Sequence, residues 1–277
     1  MKMHLFVISV LLVLGFPFIM TEVVESFNTC SDFFLNGQPP VIPGILGNSV
    51  SQDNNRYKLI CQKYKGAYRF ATVYDTTSKI PVFSAYKYTG KKSFKRPDVN
   101  WMIEPELEPR VAEMTVLTRV NQAINEDYSG NCKVNRGHLF PNSHAADEDT
   151  AESTFTLTNA VPQMISFNSG SWSDMEEETK KIINNCKNEN KILAHVLTGA
   201  IPGNSTLDKK VNIPSFMWMA FCCYNSTEKK WVSQAYWAPN VEENKKVKIV
   251  YESVQKLQDF FNQNEMENVQ LFTNNCN

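Results

Sequence analysis

The order of strand-like and helix-like segments is the feature that most restricts the fold of this 277-residue chain. Segments 68–74 and 80–88 are rich in β-branched and aromatic residues and flank a short polar turn, which predicts a hairpin. Further strands are predicted at 154–157, 191–198, 216–224 and 231–237. Helical periodicity is found at 114–125, 168–187 and 250–262. Because strands and helices do not alternate strictly, we predict an α+β fold with a central, mainly antiparallel sheet flanked by helices.

The N-terminal residues have the pattern of a secretory signal peptide. Lys2 precedes an apolar run at residues 5–20, which is 16 residues long. Since a helix needs about 20 apolar residues to cross a bilayer, this run is short for a membrane span. A single positive charge, a short apolar core and a polar continuation predict that residues 1–22 are a signal peptide and that the protein is secreted. A retained signal anchor is the alternative, and no later stretch predicts a membrane span.

The charge balance excludes one class of protein. With 28 Lys and Arg against 29 Asp and Glu, the net charge is −1, so the chain cannot coat nucleic acid through overall charge. Contact with a polyanion would require a local basic patch. Residues 76–97 carry six basic residues and no acid, with aromatic residues between them. Lys91, Lys92, Lys95 and Arg96 are therefore candidates for binding phosphates, although a solvated hairpin is the alternative.

The cysteines support export. All seven follow the apolar run, and in an oxidising compartment most would pair. Since the number is odd, at least one thiol stays free or links two copies into a covalent dimer. Cys222 and Cys223 are neighbours in a predicted strand, so they should point to opposite faces and have different partners. Asn204 and Asn225 each begin an Asn-Ser-Thr acceptor sequence for N-glycans.

The segment Arg136-Gly137-His138 is the first candidate for catalysis. A histidine can act as a base near neutral pH because its ordinary pKa is about 6.5. Arg136 could place a planar cation beside an anionic substrate, and Gly137 would allow a close approach of backbone and substrate. This short segment alone leaves a structural role for His138 open.

A second segment strengthens the catalytic interpretation. Thr158-Asn159 is followed by Pro162-Gln163, and then comes the pattern Asn168-x-Gly170-x-Trp172-x-x-x-Glu176. Together with 135–138, this order and spacing resemble the DNA/RNA non-specific endonuclease family, the ββα-metal (His-Me finger) nucleases related to the Serratia-type nuclease. The resemblance extends from about 57 to 261. The hairpin at 70–86 and the segment 101–105 look most like the secreted vertebrate branch, the endonuclease domain-containing 1 proteins.

The resemblance implies a role for each matching residue. It implies metal-dependent hydrolysis of phosphodiester bonds in DNA and RNA, which the protein would bind through backbone phosphates. His138 matches the general base and Arg136 the cation that steadies the phosphate. Asn168 matches the single protein ligand of Mg²⁺, for which Mn²⁺ can substitute. Glu176 matches a carboxylate that orients waters around the ion, and Asn159 matches an amide that supports the cluster.

Two features complicate this assignment. Asn168 and Glu176 are eight positions apart, which in a straight helix is about 12 Å, so either Asn168 precedes the regular helix or Glu176 acts through water. Asn135 stands where the family usually has Asp. The change motivates an alternative function, a non-catalytic module on the same fold that binds nucleic acid or protein. A purely structural, disulfide-linked exported protein is a third possibility.

The resemblance also divides the chain. We expect a signal peptide at 1–22, an irregular lead-in at 23–56, the nuclease domain at 57–265 and a C-terminal tail at 266–277. Two further histidines remain. His144 could be a zinc ligand, although no third ligand is evident and a structural role is favoured. His195 lies among apolar residues and is expected to be a sheet residue.

Overall fold

The computed structural model describes residues 22–108, 121–264, 266–272 and 276. The strands are β1 (Val23–Val24), β2 (Leu46–Gly47), β3 (Val50–Ser51), β4 (Tyr57–Tyr64), β5 (Ala67–Asp75), β6 (Ile80–Tyr88), β7 (Val134–His138), β8 (Ala160–Met164), β9 (Lys187–Asn188), β10 (Lys191–Ile192), β11 (Ala194–Ile201), β12 (Ser205–Leu207), β13 (Val211–Ile213), β14 (Phe216–Asn225) and β15 (Lys230–Pro239). The helices are α1 (Glu148–Ser153), α2 (Ile165–Phe167), α3 (Ser173–Ile183) and α4 (Val254–Asn262), with a π-helical turn at Asn168–Trp172.

A seven-stranded sheet forms the centre of the molecule. Its strand order is β1-β4-β5-β6-β11-β14-β15, and every neighbouring pair in it is antiparallel. The β5–β6 hairpin lies where β-branched and aromatic residues on both sides of a polar turn predicted it, and the β14–β15 pair lies at the predicted strands 216–224 and 231–237. The predicted α+β architecture is therefore confirmed.

Each face of the sheet is covered by a separate apolar layer. Along β14, Met219 and Phe221 pack into one layer, whereas Trp218 and Ala220 pack into the other, as the two-residue period of a strand requires. The first layer contains side chains of β7, β8 and α3. The second contains side chains of the 3₁₀ segment Phe27–Phe33 and of α4.

The disulfides follow the same two-sided arrangement. Cys223 is bonded to Cys186, just after α3, and Cys222 is bonded to Cys276 on the other face. The prediction that these neighbours have different partners is confirmed. A third disulfide joins Cys30 to Cys61. Cys132 is free and exposed.

Several predicted elements differ from the structure. Residues 154–157 were predicted as a strand, but α1 precedes them and a 3₁₀ turn begins at Leu157. The last helix begins at Val254 rather than at 250, because Ser253 caps it by accepting a hydrogen bond from Lys256 N. Within the predicted helix 114–125, residues 114–120 lie outside the described residues and 121–124 are not helical.

Some further expectations can be located in the described structure. Most of the expected signal peptide, residues 1–21, lies outside the described residues. In the part that is described, no helix is long and apolar enough to cross a bilayer. Asn204 is exposed, whereas Asn225 is buried and its Oδ1 accepts hydrogen bonds from Thr227 N and Glu228 N. The surface therefore favours Asn204 over Asn225 as a glycan acceptor.

A compact ββα unit lies against the first face of the sheet. β7 pairs antiparallel with β8, with His138 opposite Ala160 and Asn135 opposite Gln163. The chain then passes through α2 and the π-helical turn into α3. Buried Val134, Val161 and Met175 anchor the two strands and the helix in the same apolar layer.

Candidate active site

The ββα unit opens into a polar groove of about 300 Å³. His138 and Arg136 reach it from β7, Asn168 from the π-helical turn, and Glu176 from α3. Arg96 enters from the coil that follows β6. The remaining lining residues are Asn135, Pro141, Asn142, Ser143, Ser169, Ser173 and Glu177. Four of the five residues predicted as catalytic or metal-binding therefore share one cavity.

The π-helical turn explains how Asn168 and Glu176 can share that cavity. The regular helix α3 begins only at Ser173, and Gly170 within the preceding turn has non-helical backbone angles of φ −102° and ψ −116°. Asn168 thus precedes the regular helix. Single π-helical turns of this kind are frequent at functional sites because they redirect side chains.

His138 is held by aromatic rings. Its ring centroid lies 4.7 Å from that of Trp101 and 4.9 Å from that of Phe155. The Nε2 atom is buried without a hydrogen-bond partner, and the residue lines the groove. Burial, with a smaller contribution from Arg96, lowers the pKa of His138 to about 3, so the imidazole is neutral at physiological pH.

Arg136 lies between two aromatic side chains. Its guanidinium carbon is 5.6 Å from the ring centroid of Trp101 and 5.4 Å from that of Tyr128. Its Nε atom is buried without a partner, and no salt bridge within the described ranges involves it. Its positive charge is therefore available to an anion in the groove.

The amide of Asn168 is oriented by its neighbour in the groove. Asn168 Nδ2 donates a hydrogen bond of 2.8 Å to Asn135 Oδ1, which leaves Asn168 Oδ1 free to act as an acceptor or ligand. Burial raises the pKa of Glu176, which lines the same groove, to about 8. A nearby cation would reverse part of that shift, because an opposite charge favours the carboxylate.

The donor set restricts which metal could bind here. Within the described residues, no group of three or more His, Cys, Asp or Glu side chains could hold a metal ion. Zinc sites in proteins ordinarily need three or four such ligands. Mg²⁺ keeps several waters and binds through one or two protein oxygens plus substrate phosphate. Asn168 and Glu176 therefore fit Mg²⁺ or a similar hard cation.

Asn159 lies behind the groove instead of lining it. It is fully buried, and its Oδ1 accepts hydrogen bonds of 2.9 Å from Ser84 Oγ and from Phe140 N. Its Nδ2 donates to Thr154 O at 3.0 Å. Asn159 thus ties the backbone that follows His138 to the central sheet, which is a supporting position without contact to the groove.

Of the four basic residues predicted to bind phosphate, only Arg96 lines the groove. Lys91 lies over the ring of Phe94 at 4.7 Å, and Lys92 donates its backbone N–H to Ala146 O. Lys95 is exposed. The three lysines are therefore not among the residues that line the groove.

Three other residues have structural surroundings. An added Cβ at Gly137 would lie 2.6 Å from Gln163 Cβ, so the space beside this glycine is filled by the opposite strand, and the expectation of close substrate approach there is wrong. His144 is buried between Tyr86 Oη at 2.9 Å and Glu176 O at 3.0 Å. His195 contacts Phe33 O at 3.2 Å.

The aromatic surroundings of the site were not predicted from the sequence. Trp101 begins the segment 101–105 that contributes to the family resemblance, and no sequence motif indicated a role for Tyr128 or Phe155. Their contacts with Arg136 and His138 join segments distant in sequence. No local pattern could have indicated these contacts, since they depend on the path of the chain over the groove.

Comparison with known proteins agrees with this geometry. The model of the DNA/RNA non-specific endonuclease family matches residues 53–274. This chain belongs to that family. The match spans six of the seven strands of the central sheet, the ββα unit and α4, so every residue of the groove lies inside the matched region.

Relatives of the endonuclease family are found at moderate identity. The human endonuclease domain-containing 1 protein is 31% identical over 92% of this chain, and its mouse counterpart 32% over 71%. The chain spans 49% and 39% of the length of those two proteins. The nuclease of Serratia marcescens is 27% identical over 55% of this chain and 55% of its own length.

A solved structure supports the ββα-metal nuclease fold. A chain from the crystal structure of the EndoG/EndoGI complex superposes with a TM-score of 0.56 at 15% identity. The alignment covers 71% of this chain and 82% of that one. At this identity the likeness concerns the fold alone.

Proposed function

We propose that this protein is a secreted, Mg²⁺-dependent endonuclease that hydrolyses phosphodiester bonds of DNA and RNA without sequence specificity. The observation that carries the proposal is the convergence of His138, Arg136, Asn168 and Glu176 on one open polar groove. Family membership supports nuclease chemistry in general. The metal, the individual residue roles and the compartment are our inferences from the groove and the sequence.

The groove contains the groups that phosphodiester hydrolysis requires. His138 Nδ1 takes a proton from the attacking water while the water oxygen bonds to phosphorus. The bond from phosphorus to the leaving oxygen breaks, and that oxygen is protonated by solvent. Arg136 carries an unneutralised charge toward the phosphate and stabilises the added negative charge on its oxygens. Neutral His138 is in the protonation state that a base needs.

A divalent ion would complete this arrangement. Asn168 would hold it through Oδ1, and Glu176 would lie beside it as the second oxygen donor or as a partner for its waters. When bound, Mg²⁺ supplies Lewis-acid stabilisation of charge on the phosphate. Asn135 keeps the Asn168 amide in the orientation that presents Oδ1.

Contacts with backbone phosphates account for action on both DNA and RNA. Arg96 lines the groove beside His138, and Lys91, Lys92 and Lys95 lie on the same coil that follows β6. The acidic segment 147–149 does not line the groove, and Asp147 and Asp149 pair with Arg69 on β5. Phosphate contacts position a nucleic acid without reading its bases, which is consistent with non-specific cleavage.

Substitution of His138 tests the proposal directly. We expect His138→Ala to reduce cleavage of plasmid DNA and of RNA by about 10²–10⁴-fold, the contribution typical of a general base. The disulfide-intact protein should require Mg²⁺ and be inhibited by EDTA. His195→Gln is the matched control, because the His195 ring hydrogen-bonds to the backbone oxygen of Phe33, whose side chain packs in the layer on the other face of the sheet. Cleavage that ignores EDTA and survives His138→Ala would contradict the mechanism.

Asn135 favours a second candidate, a non-catalytic module that binds nucleic acid or protein on the same fold. Salt-sensitive DNA binding without cleavage in Mg²⁺ or Mn²⁺ would distinguish this binding module from the nuclease. The exposed thiol of Cys132 also leaves the sequence-based expectation of a covalent dimer as a proposal, which non-reducing electrophoresis would test.

A further inference from the structure

The indole of Trp101 contacts both His138, the proposed base, and Arg136, the proposed phosphate-binding cation. The centroid of the Trp101 ring lies 4.7 Å from the His138 ring, with 46° between the ring planes. The guanidinium carbon of Arg136 lies 5.6 Å from the same indole. Trp101 is half-buried and is not among the residues that line the groove. It therefore contacts His138 and Arg136 from outside the groove lining.

Neither supported side chain has the polar partner that usually holds such a group. Catalytic histidines are ordinarily oriented by a carboxylate or a carbonyl on the second ring nitrogen. Here His138 Nε2 and Arg136 Nε are both buried without a hydrogen-bond partner. Aromatic contacts take that place, since Phe155 packs on His138 at 4.9 Å and Tyr128 on Arg136 at 5.4 Å. Trp101 is the member common to both contacts.

The aromatic surroundings decide which nitrogen of His138 carries the proton. The face of an aromatic ring is negative, so it repels a nitrogen lone pair and attracts an N–H group. Nε2 is buried without a hydrogen-bond partner on a ring that contacts Trp101 and Phe155, and we expect it to carry the proton. Nδ1 is then the nitrogen that can accept a proton from water in the groove. After proton uptake the imidazolium is a cation beside the indole ring, within the distance at which such pairs attract.

We propose that Trp101 is a positioning residue for phosphodiester hydrolysis, fixing the Nε2–H tautomer of His138 and aiming the guanidinium of Arg136 into the groove. The inference rests on the proposed nuclease function. An aromatic support orients the two groups without neutralising either, whereas a carboxylate would have cancelled the charge of Arg136. Because one ring supports both groups, its loss disturbs proton transfer and phosphate stabilisation together.

Steady-state kinetics of three variants test this role. We expect Trp101→Leu to lower kcat by about 10–100-fold, the loss typical of misplaced catalytic groups, with little change in KM for plasmid DNA. Trp101→Phe keeps an aromatic face and should restore most of kcat. Trp231→Leu is the matched control, because Trp231 is another half-buried indole with a tilted aromatic contact, to Tyr224 at 5.4 Å, and it lies outside the groove.

A measurement without turnover separates this inference from the proposed function. Nitrogen NMR shifts of ¹⁵N-labelled histidine report which ring nitrogen of His138 is protonated. We expect the Nε2–H form in the wild type and in Trp101→Phe, and a mixture of tautomers in Trp101→Leu. Thermal unfolding of each variant checks that it is folded.

The outcomes are distinguishable. If Trp101→Leu raises KM and leaves kcat unchanged, Trp101 contacts the substrate and the positioning role is overturned. The role is also overturned if kcat and the tautomer of Trp101→Leu both match the wild type. If the wild type cleaves nothing, the proposed function fails, while the tautomer measurement still decides what Trp101 does to His138.

Discussion

At the scale of single residues, Asn135 shows how a change from the family pattern can leave a site intact. The side chain does not contact His138 through any hydrogen bond in the described structure; its Oδ1 accepts from Asn168 Nδ2. An aspartate would offer the same acceptor with a full charge. Asn135 therefore orients the Asn168 amide as an aspartate would, but without the stronger hydrogen bond that a charged acceptor makes.

This contact predicts different outcomes for two substitutions. Asn135→Asp keeps the acceptor, so we expect cleavage to be retained or increased, with half-maximal activity at an equal or lower Mg²⁺ concentration. Asn135→Leu removes the acceptor and frees the Asn168 amide to rotate. We expect about a tenfold loss of activity, equivalent to about 1.4 kcal/mol, and a higher Mg²⁺ requirement. Equal Mg²⁺ titrations for the two variants would contradict the role of Asn135.

A second residue, Glu104, predicts how stability depends on pH. Burial raises the pKa of Glu104 well above its ordinary value, and the neighbouring carboxylate of Glu22, the last residue of the expected signal peptide, adds to the shift before cleavage. In the unfolded chain a Glu ionises near pH 4.3. As pH rises above that value the unfolded state loses its proton first, so the native state binds more protons and its stability falls.

Glu104 should therefore contribute a decrease in the free energy of unfolding between pH 5 and pH 8, whereas the buried His138, His144 and His195, whose pKa values are lowered, contribute an increase over the lower part of that range. In Glu104→Gln, which cannot ionise, the free energy of unfolding should change less unfavourably from pH 5 to pH 8 than in the wild type, as measured by urea unfolding at the two pH values. Glu25→Gln changes an exposed carboxylate and is the matched control. An identical pH dependence in Glu104→Gln and the wild type would show that Glu104 does not carry a proton in the folded protein.

At the scale of elements, the ββα unit depends on close contact between β7 and β8. Gly137 lies opposite Val161 in the register, and the side chain of Gln163 fills the space beside it. That side chain is buried, and neither its Oε1 nor its Nε2 has a hydrogen-bond partner. Its contribution at this position is therefore one of packing against the glycine.

Gly137→Ala should destabilise the protein by about 1–3 kcal/mol, the usual cost of overpacking, because the new Cβ would lie 2.6 Å from Gln163 Cβ. Truncation in Gly137→Ala/Gln163→Ala should recover part of that loss, since it removes the clashing Oε1 and Cδ of Gln163 without breaking a hydrogen bond, although the contact with Gln163 Cβ remains. Urea unfolding of the two single variants and the double variant measures this coupling. Additive losses would contradict the packing explanation.

The helices and strands also show which parts of the fold local sequence patterns can predict. The β5–β6 hairpin and the β14–β15 pair were predictable because β-branched and aromatic content and turn residues are local properties of the sequence. The start of α4 was not, since Val250 and Tyr251 continue the apolar pattern although both are exposed. The helix begins where Ser253 provides a cap, and that local signal was overlooked. The π-helical turn at Asn168–Trp172 depends on packing around the groove.

At the scale of the whole molecule, the main residues of the candidate site could be predicted from the sequence, but the aromatic contacts around them could not. His138, Arg136, Asn168 and Glu176 lie in motifs with fixed spacing, and the fold brings them into one groove. The contacts of Trp101 depend on the path of the coil after β6. That path is set by tertiary packing, which no periodicity encodes.

The adjacent cysteines of β14 link the two apolar layers through a single strand. Cys222 secures the C-terminal segment on one side, and Cys223 secures the end of α3 on the other. A reducing milieu would release both attachments at once, loosening the helix that carries Glu176 along with the opposite layer. The proposed nuclease activity should therefore depend on both disulfides being formed. The chain would then become active only in an oxidising compartment, where disulfides persist.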